Sequence, residues 1–172
     1  MNAALYGSEK LVKIEILGNF LGLTLAHSAF IGSGQDGVTL APYVVYQQDE
    51  NRQVVNFEAD TQQEAIDNAY ASIKEYQPSV DAWAISYEGL VTLDNGEKQD
   101  IYIVKAWVNG LAEPIMIYQM FNPKPFKLIG NIKVLNFEDT GLDMKQAETL
   151  HHALDAGIES HNSANEKWES WF

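Results

Sequence analysis

The first stretch of the chain is apolar on almost every side. Leu11, Ile14, Ile16, Leu17, Phe20, Leu21, Leu23 and Leu25 are too dense for a narrow stripe, and a helix that is apolar nearly all round packs centrally. Gly18 and Gly22, four residues apart, predict that another element comes close to this helix backbone. The helix is expected to stop by Gly32-Ser33-Gly34, where glycine frees the backbone. The uncharged run from Ile16 to Gly32 could pass for a signal-peptide core. Its flank is mixed, with Glu9, Lys10, Lys13 and Glu15, and it is shorter than the roughly 20 apolar residues a spanning helix needs. A buried helix is therefore expected.

The pattern then changes to β. Val38 to Gln47 is rich in β-branched and aromatic residues, and Pro42 within it predicts an edge strand or a bulge. Asp49-Glu50-Asn51 is a turn, and Gln53 to Glu58 returns as a short strand. Thr61-Gln62-Gln63-Glu64 has the form of a capping box. Behind it Ala65, Ile66, Ala69, Tyr70, Ile73 and Tyr76 fall on one helical face until Pro78. Ala82 to Leu93 and Gln99 to Val108 flank Asp94-Asn95-Gly96, a strong hairpin signal. Asn109-Gly110 leads into Ile115 to Phe121, and Phe126 to Phe137 is expected to add a last strand. From Asp143 an amphipathic stripe through Met144, Leu150, Leu154, Ile158, His161 and Trp168 predicts a helix running to the C-terminus.

Strands joined by tight turns run antiparallel. The order α-β-β-α-β-β-β-(β)-α therefore predicts an α+β two-layer sandwich, a twisted antiparallel sheet of about five to six strands with helices packed on it. No linker or repeat interrupts the chain, so residues 1–172 form one expected domain.

Charge adds a constraint on partners. Eleven Lys and Arg stand against 24 Asp and Glu, net −13, and Arg52 is the single arginine. Nucleic acid and anionic membrane are poor partners for such a chain, because both are bound by clustered Lys and Arg. The charge is uneven: residues 101–137 hold four lysines (Lys105, Lys124, Lys127, Lys133) and one acid, Glu113. The plain reading is ordinary surface charge, and the sharper one is a polarised surface offered to a basic protein. With no cysteine, a thiol nucleophile and disulfides are excluded, which fits a reducing, bacterial-cytosol type of compartment.

Candidate chemistry is sparse. A two-residue Asn95-Gly96 turn would pair Tyr87 with Val104, Ile85 with Ala106 and Trp83 with Val108 as a core face. The other face would set Ala84 opposite Trp107, Ser86 opposite Lys105 and Glu88 opposite Ile103. Glu88 and Lys105 become diagonal neighbours, and a third strand adds Met116, Tyr118 and Met120. Ser86, Glu88, Lys105, Trp107 and Tyr118 are thus the candidate ligand- or partner-binding residues, although helices covering this face would reduce Glu88–Lys105 to a structural pair. His151 and His152 with Glu148, Asp155, Glu159 and His161 could suggest a metal, but adjacent histidines diverge by about 100° on a helix, so no metal site is assigned. His27 reads as a hydrogen-bonded core histidine. No serine elbow, phosphate loop or cofactor motif is present, and no catalytic residue or cofactor is assigned.

The leading expectation is a non-enzymatic, acidic protein-binding module of the cytoplasm: an inhibitor, immunity-type or chaperone-like partner protein, or half of a dimer. The aromatic end Trp168-Glu169-Ser170-Trp171-Phe172 would dock on a partner or on the domain's own core. The alternative is a small-molecule-binding protein or modest enzyme using the Ser86, Glu88, Lys105 and Trp107 face. Metal-dependent hydrolysis through the C-terminal histidines is a distant third.

Overall fold

In the computed structural model, residues 13–35 and 37–172 are described; the expected start of the first helix at Leu11, and Asp36, lie outside them. Helix α1 spans Ile14–Gly34. Strands β1 (Tyr43–Gln48) and β2 (Asn51–Asn56) follow, then helix α2 (Gln62–Tyr76). Strands β3 (Ala82–Thr92), β4 (Lys98–Val108), β5 (Ile115–Pro123) and β6 (Phe126–Val134) lead to helix α3 (Met144–Ser160). The strands make one antiparallel six-stranded sheet in the order β2-β1-β3-β4-β5-β6, an α+β sandwich.

Helices α1 and α3 lie together on one sheet face. Their interface depends on small residues. A methyl group at Gly22 would overlap the Leu154 carbonyl oxygen, one at Gly18 would strike the Ala153 methyl, and Gly157 is closed off by the backbone of Asn19. Backbones this close gain dispersion contacts that larger side chains would prevent. Leu17, Phe20, Leu21 and Leu25 are buried with Tyr43, Val104, Ile115, Ile117, Leu150 and Leu154 in the main core. By length and composition α1 is apolar enough to cross a bilayer, and here 61% of its most apolar window is buried within the protein.

Helix α2 packs on the reverse face. Ala69 and Ile73 meet Val44, Tyr46, Trp83 and Ile85. Tyr46 and Ser72 hydroxyls lie 2.6 Å apart, and the Trp83 indole donates to Gln77 Oε1 at 2.9 Å. Thr61 caps α2 by accepting from Glu64 N–H at 3.1 Å. Beyond β3 this face carries no described helix.

Three local expectations change. Strand β1 is internal rather than at an edge, because Pro42 precedes its first residue, Tyr43, and so costs the ladder no donor. The last helix stops at Ser160, and Trp168–Trp171 forms a separate short 3₁₀ turn. His161 ends α3 in extended backbone (φ −72°, ψ 116°), and its Nδ1 accepts from Ser163 N–H and Ala164 N–H at 3.2 and 2.9 Å. A side-chain acceptor at that point competes with helix continuation. The β3–β4 connection is a three-residue turn, Asp94-Asn95-Gly96, closed by Leu93 N–H donating to Glu97 carbonyl at 2.8 Å, with Gly96 at φ 85°. That is the hairpin class in which the third loop residue takes the left-handed conformation.

Candidate functional site

The longer turn decides the fate of the sequence-derived cluster. Ser86 pairs with Val104, Glu88 with Tyr102 and Ile85 with Lys105, one residue away from the expected pairing. Side chains alternate across a sheet, so a one-residue shift moves one strand's residues to the opposite face relative to the other's. Ser86 and Glu88 therefore face α1, whereas Lys105, Trp107 and Tyr118 share the α2 face. Glu88 and Lys105 are not neighbours, and the expected diagonal pair is corrected.

Ser86 belongs to a buried polar cluster. The Ser28 hydroxyl lies 2.6 Å from Ser86 Oγ and 2.7 Å from Tyr43 Oη, and the Tyr43 hydroxyl donates to the Thr24 carbonyl at 2.9 Å. Burial pushes the Tyr43 hydroxyl well above the usual phenol range, so it stays a neutral donor. Nearby, Glu88 accepts from Leu40 N–H. Burial holds its carboxyl above the usual range, Leu40 opposes that rise, and Asp100 adds to it.

On the reverse face the remaining three candidates come together. Ile103 pairs with Tyr118 and Lys105 with Met116; Tyr118 pairs with Lys133 and Met120 with Ile129 on β6. The result is a half-buried strip of Ile103, Met116, Tyr118 and Met120 between two lysines. Lys105 Nζ lies 5.2 Å from the centre of the Tyr70 ring, and the Tyr70 and Tyr87 hydroxyls meet at 2.9 Å. Trp107 closes the end of the strip, its indole N–H donating to the Leu111 carbonyl at 3.1 Å.

A second constellation joins distant parts of the chain. His27 on α1 and His161 after α3 meet at 3.1 Å, Nδ1 to Nε2. Because His161 Nδ1 accepts two backbone N–H groups, its proton sits on Nε2 and is donated to His27 Nδ1. The His27 proton must then sit on its own Nε2, which has no hydrogen-bond partner among the described residues. Burial pushes both imidazoles below the usual histidine range, and His161 lowers His27 further. The pair lines a cavity of about 880 Å³ between α1, the overhanging β1–β2 hairpin and the end of α3. Arg52 on β2 also lines it, with its guanidinium 5.0 Å from the centre of the Phe20 ring and its Nε donating to Gln47 Oε1 at 3.0 Å. Sequence reasoning placed His27 in the core and missed this site: its residues lie 134 positions apart, and no local pattern links them.

Other candidates resolve simply. His151 and Asp155 approach to 3.6 Å on an exposed helix face, and among the described residues no three His, Asp or Glu side chains gather to hold a metal. The aromatic end docks on the chain's own core: Trp171 is buried and meets the Phe126 ring edge-on at 5.6 Å between centroids. A second cavity of about 880 Å³ runs beside α3 and β6. At its wall Gln119 is fully buried, and its amide nitrogen donates to the Ile129 and Gly130 carbonyls at 3.0 and 3.1 Å. Comparison with protein-family models, with curated proteins and with solved structures gives no match.

Proposed function

We propose that this chain is a non-enzymatic protein-binding module that engages its partner through the open half of the reverse sheet face. The observation that carries this reading is the strip of Ile103, Met116, Tyr118 and Met120 bordered by Lys105 and Lys133 on β4–β6, where no described helix packs. Tyrosine and methionine on a rigid sheet supply large contact area with little ordering cost or with adaptable shape. Local charge, rather than the net charge of −13, sets the partner's chemistry here: an apolar strip flanked by carboxylates. The same argument makes a second acidic copy a competitor for the face.

The test is capture from the source cytoplasm with the tagged protein, run beside a Tyr118→Asp, Lys133→Glu variant whose folding is checked by circular dichroism. A protein retained by the wild type and lost from the variant supports the reading. Retention of the same set by both removes this face from the function. If only the protein itself is retained, sedimentation of the two forms separates self-association from no association.

A further inference from the structure

The cavity at His27 and His161 is independent of the proposed protein interface and lies on the opposite side of the sheet. We infer that it is a binding site for a small amphipathic carboxylate, with Arg52 receiving the carboxylate and the apolar walls holding a hydrocarbon or aromatic body.

The first argument is the segregation of charge. The chain holds 24 acids and a single arginine, yet the lining contains that arginine and two of the four histidines and no carboxylate. No acidic partner engages the Arg52 guanidinium among the described residues, although carboxylates outnumber it across the surface. A cleft whose lining holds one arginine and no anion attracts an anion from solution, and the planar guanidinium suits the two oxygens of a carboxylate.

The second argument is the hydrogen-bond order. Backbone donors at Ser163 and Ala164 fix the His161 tautomer, and His161 fixes that of His27. The relay ends on the Nε2–H of half-buried His27, a neutral donor at the cavity wall. The cavity wall therefore presents a hydrogen-bond donor apart from Arg52, suited to a second polar group on the ligand.

The third argument is shape. Phe20, Leu23, Phe30 and Val45 form the walls, and about 880 Å³ lies within the range of small-molecule sites, which are mostly apolar with a few placed polar groups. The Phe20 ring supports the guanidinium from below, orienting it without neutralising it.

The experiment uses the full chain and three eight-carbon probes, octanoate, 1-octanol and octylammonium, titrated at pH 7 while amide shifts are followed by NMR. Octanoate is expected to shift residues around His27, Arg52 and His161, to bind about tenfold more tightly than octanol, and to outcompete octylammonium, which the cation repels. Arg52→Gln is expected to lower octanoate affinity about tenfold and to leave octanol unchanged. Arg52 is exposed, so this variant keeps the fold, and a thermal melt checks it. His27→Gln, which alters the relay, is expected to weaken octanoate less than Arg52→Gln does. Equal binding of octanoate and octanol, an unchanged octanoate affinity in Arg52→Gln, shifts confined to the α3–β6 cavity, or no saturable shift at all would each overturn the assignment.

Discussion

The two faces of the sheet solve the same burial problem differently. Against one face, α1 and α3 pack through Gly18, Gly22, Ala153 and Gly157, and Ser28, Tyr43 and Ser86 hydrogen-bond one another there. On the other, α2 covers β1 and β3 only, and β4–β6 present Ile103, Met116, Tyr118 and Met120 half-buried by their own neighbours. Substitutions at the α1–α3 contact act on stability because the two backbones leave no room there. On the second face they change a half-exposed surface.

That contrast is sharpest at Gly22. An alanine gains about 1 kcal/mol of helix propensity, but its methyl would overlap the Leu154 carbonyl oxygen, and overpacking against backbone costs more than the usual 1–3 kcal/mol. A net loss of about 2–3 kcal/mol is expected in urea denaturation, and unchanged stability would show that the two helices are not held this closely. Tyr43→Phe tests the polar cluster: it leaves Ser28 and the Thr24 carbonyl short of a partner and should cost about 1–2 kcal/mol by the same measurement. On the open face Tyr118→Thr replaces one strand-favouring residue with another and should cost under about 1 kcal/mol. A larger loss would mean that something covers this strip.

Acidity separates the regions in a smaller way. His27 and His161 sit below the usual histidine range in the folded chain. As pH falls below about 6.5, the unfolded chain therefore takes up protons first, and stability drops until the folded pair also titrates. Glu88 runs the other way: its carboxyl is held high, so its contribution is fully present below the ordinary glutamate value and is lost as pH rises through the folded one. Glu88→Gln keeps an acceptor for Leu40 N–H and should raise the melting temperature slightly at pH 7, with the gain vanishing near pH 4. A gain that persists at pH 4 would exclude desolvation of the charge as its origin.

Much of the fold was legible because its signals are local. The glycine spacing in α1, the Thr61 cap, the periodic face of α2 and the Asn-Gly hairpin each depend on a few adjacent residues. The candidate cluster was not, because Gly96 is compatible with a two-residue turn and with a three-residue one. That single ambiguity moved Ser86 and Glu88 away from Lys105, Trp107 and Tyr118. The end of α3 was equally hidden, since His161 continues the apolar stripe in sequence but leaves it in space to hold Ser163 and Ala164 N–H.

The sequence by itself determined the element types, the antiparallel sheet and the excess of acid, because these follow from residue periodicity, turn chemistry and composition. Only the tertiary structure decided which side chains share a face and which distant groups meet. The meeting of His27 with His161, and the placing of the single arginine in the lining of the same cavity, required α1, β2 and the end of α3 to converge. That convergence is set by the close packing of Gly18 and Gly22 against α3 and by the overhang of the β1–β2 hairpin, neither of which leaves a periodic trace along the chain.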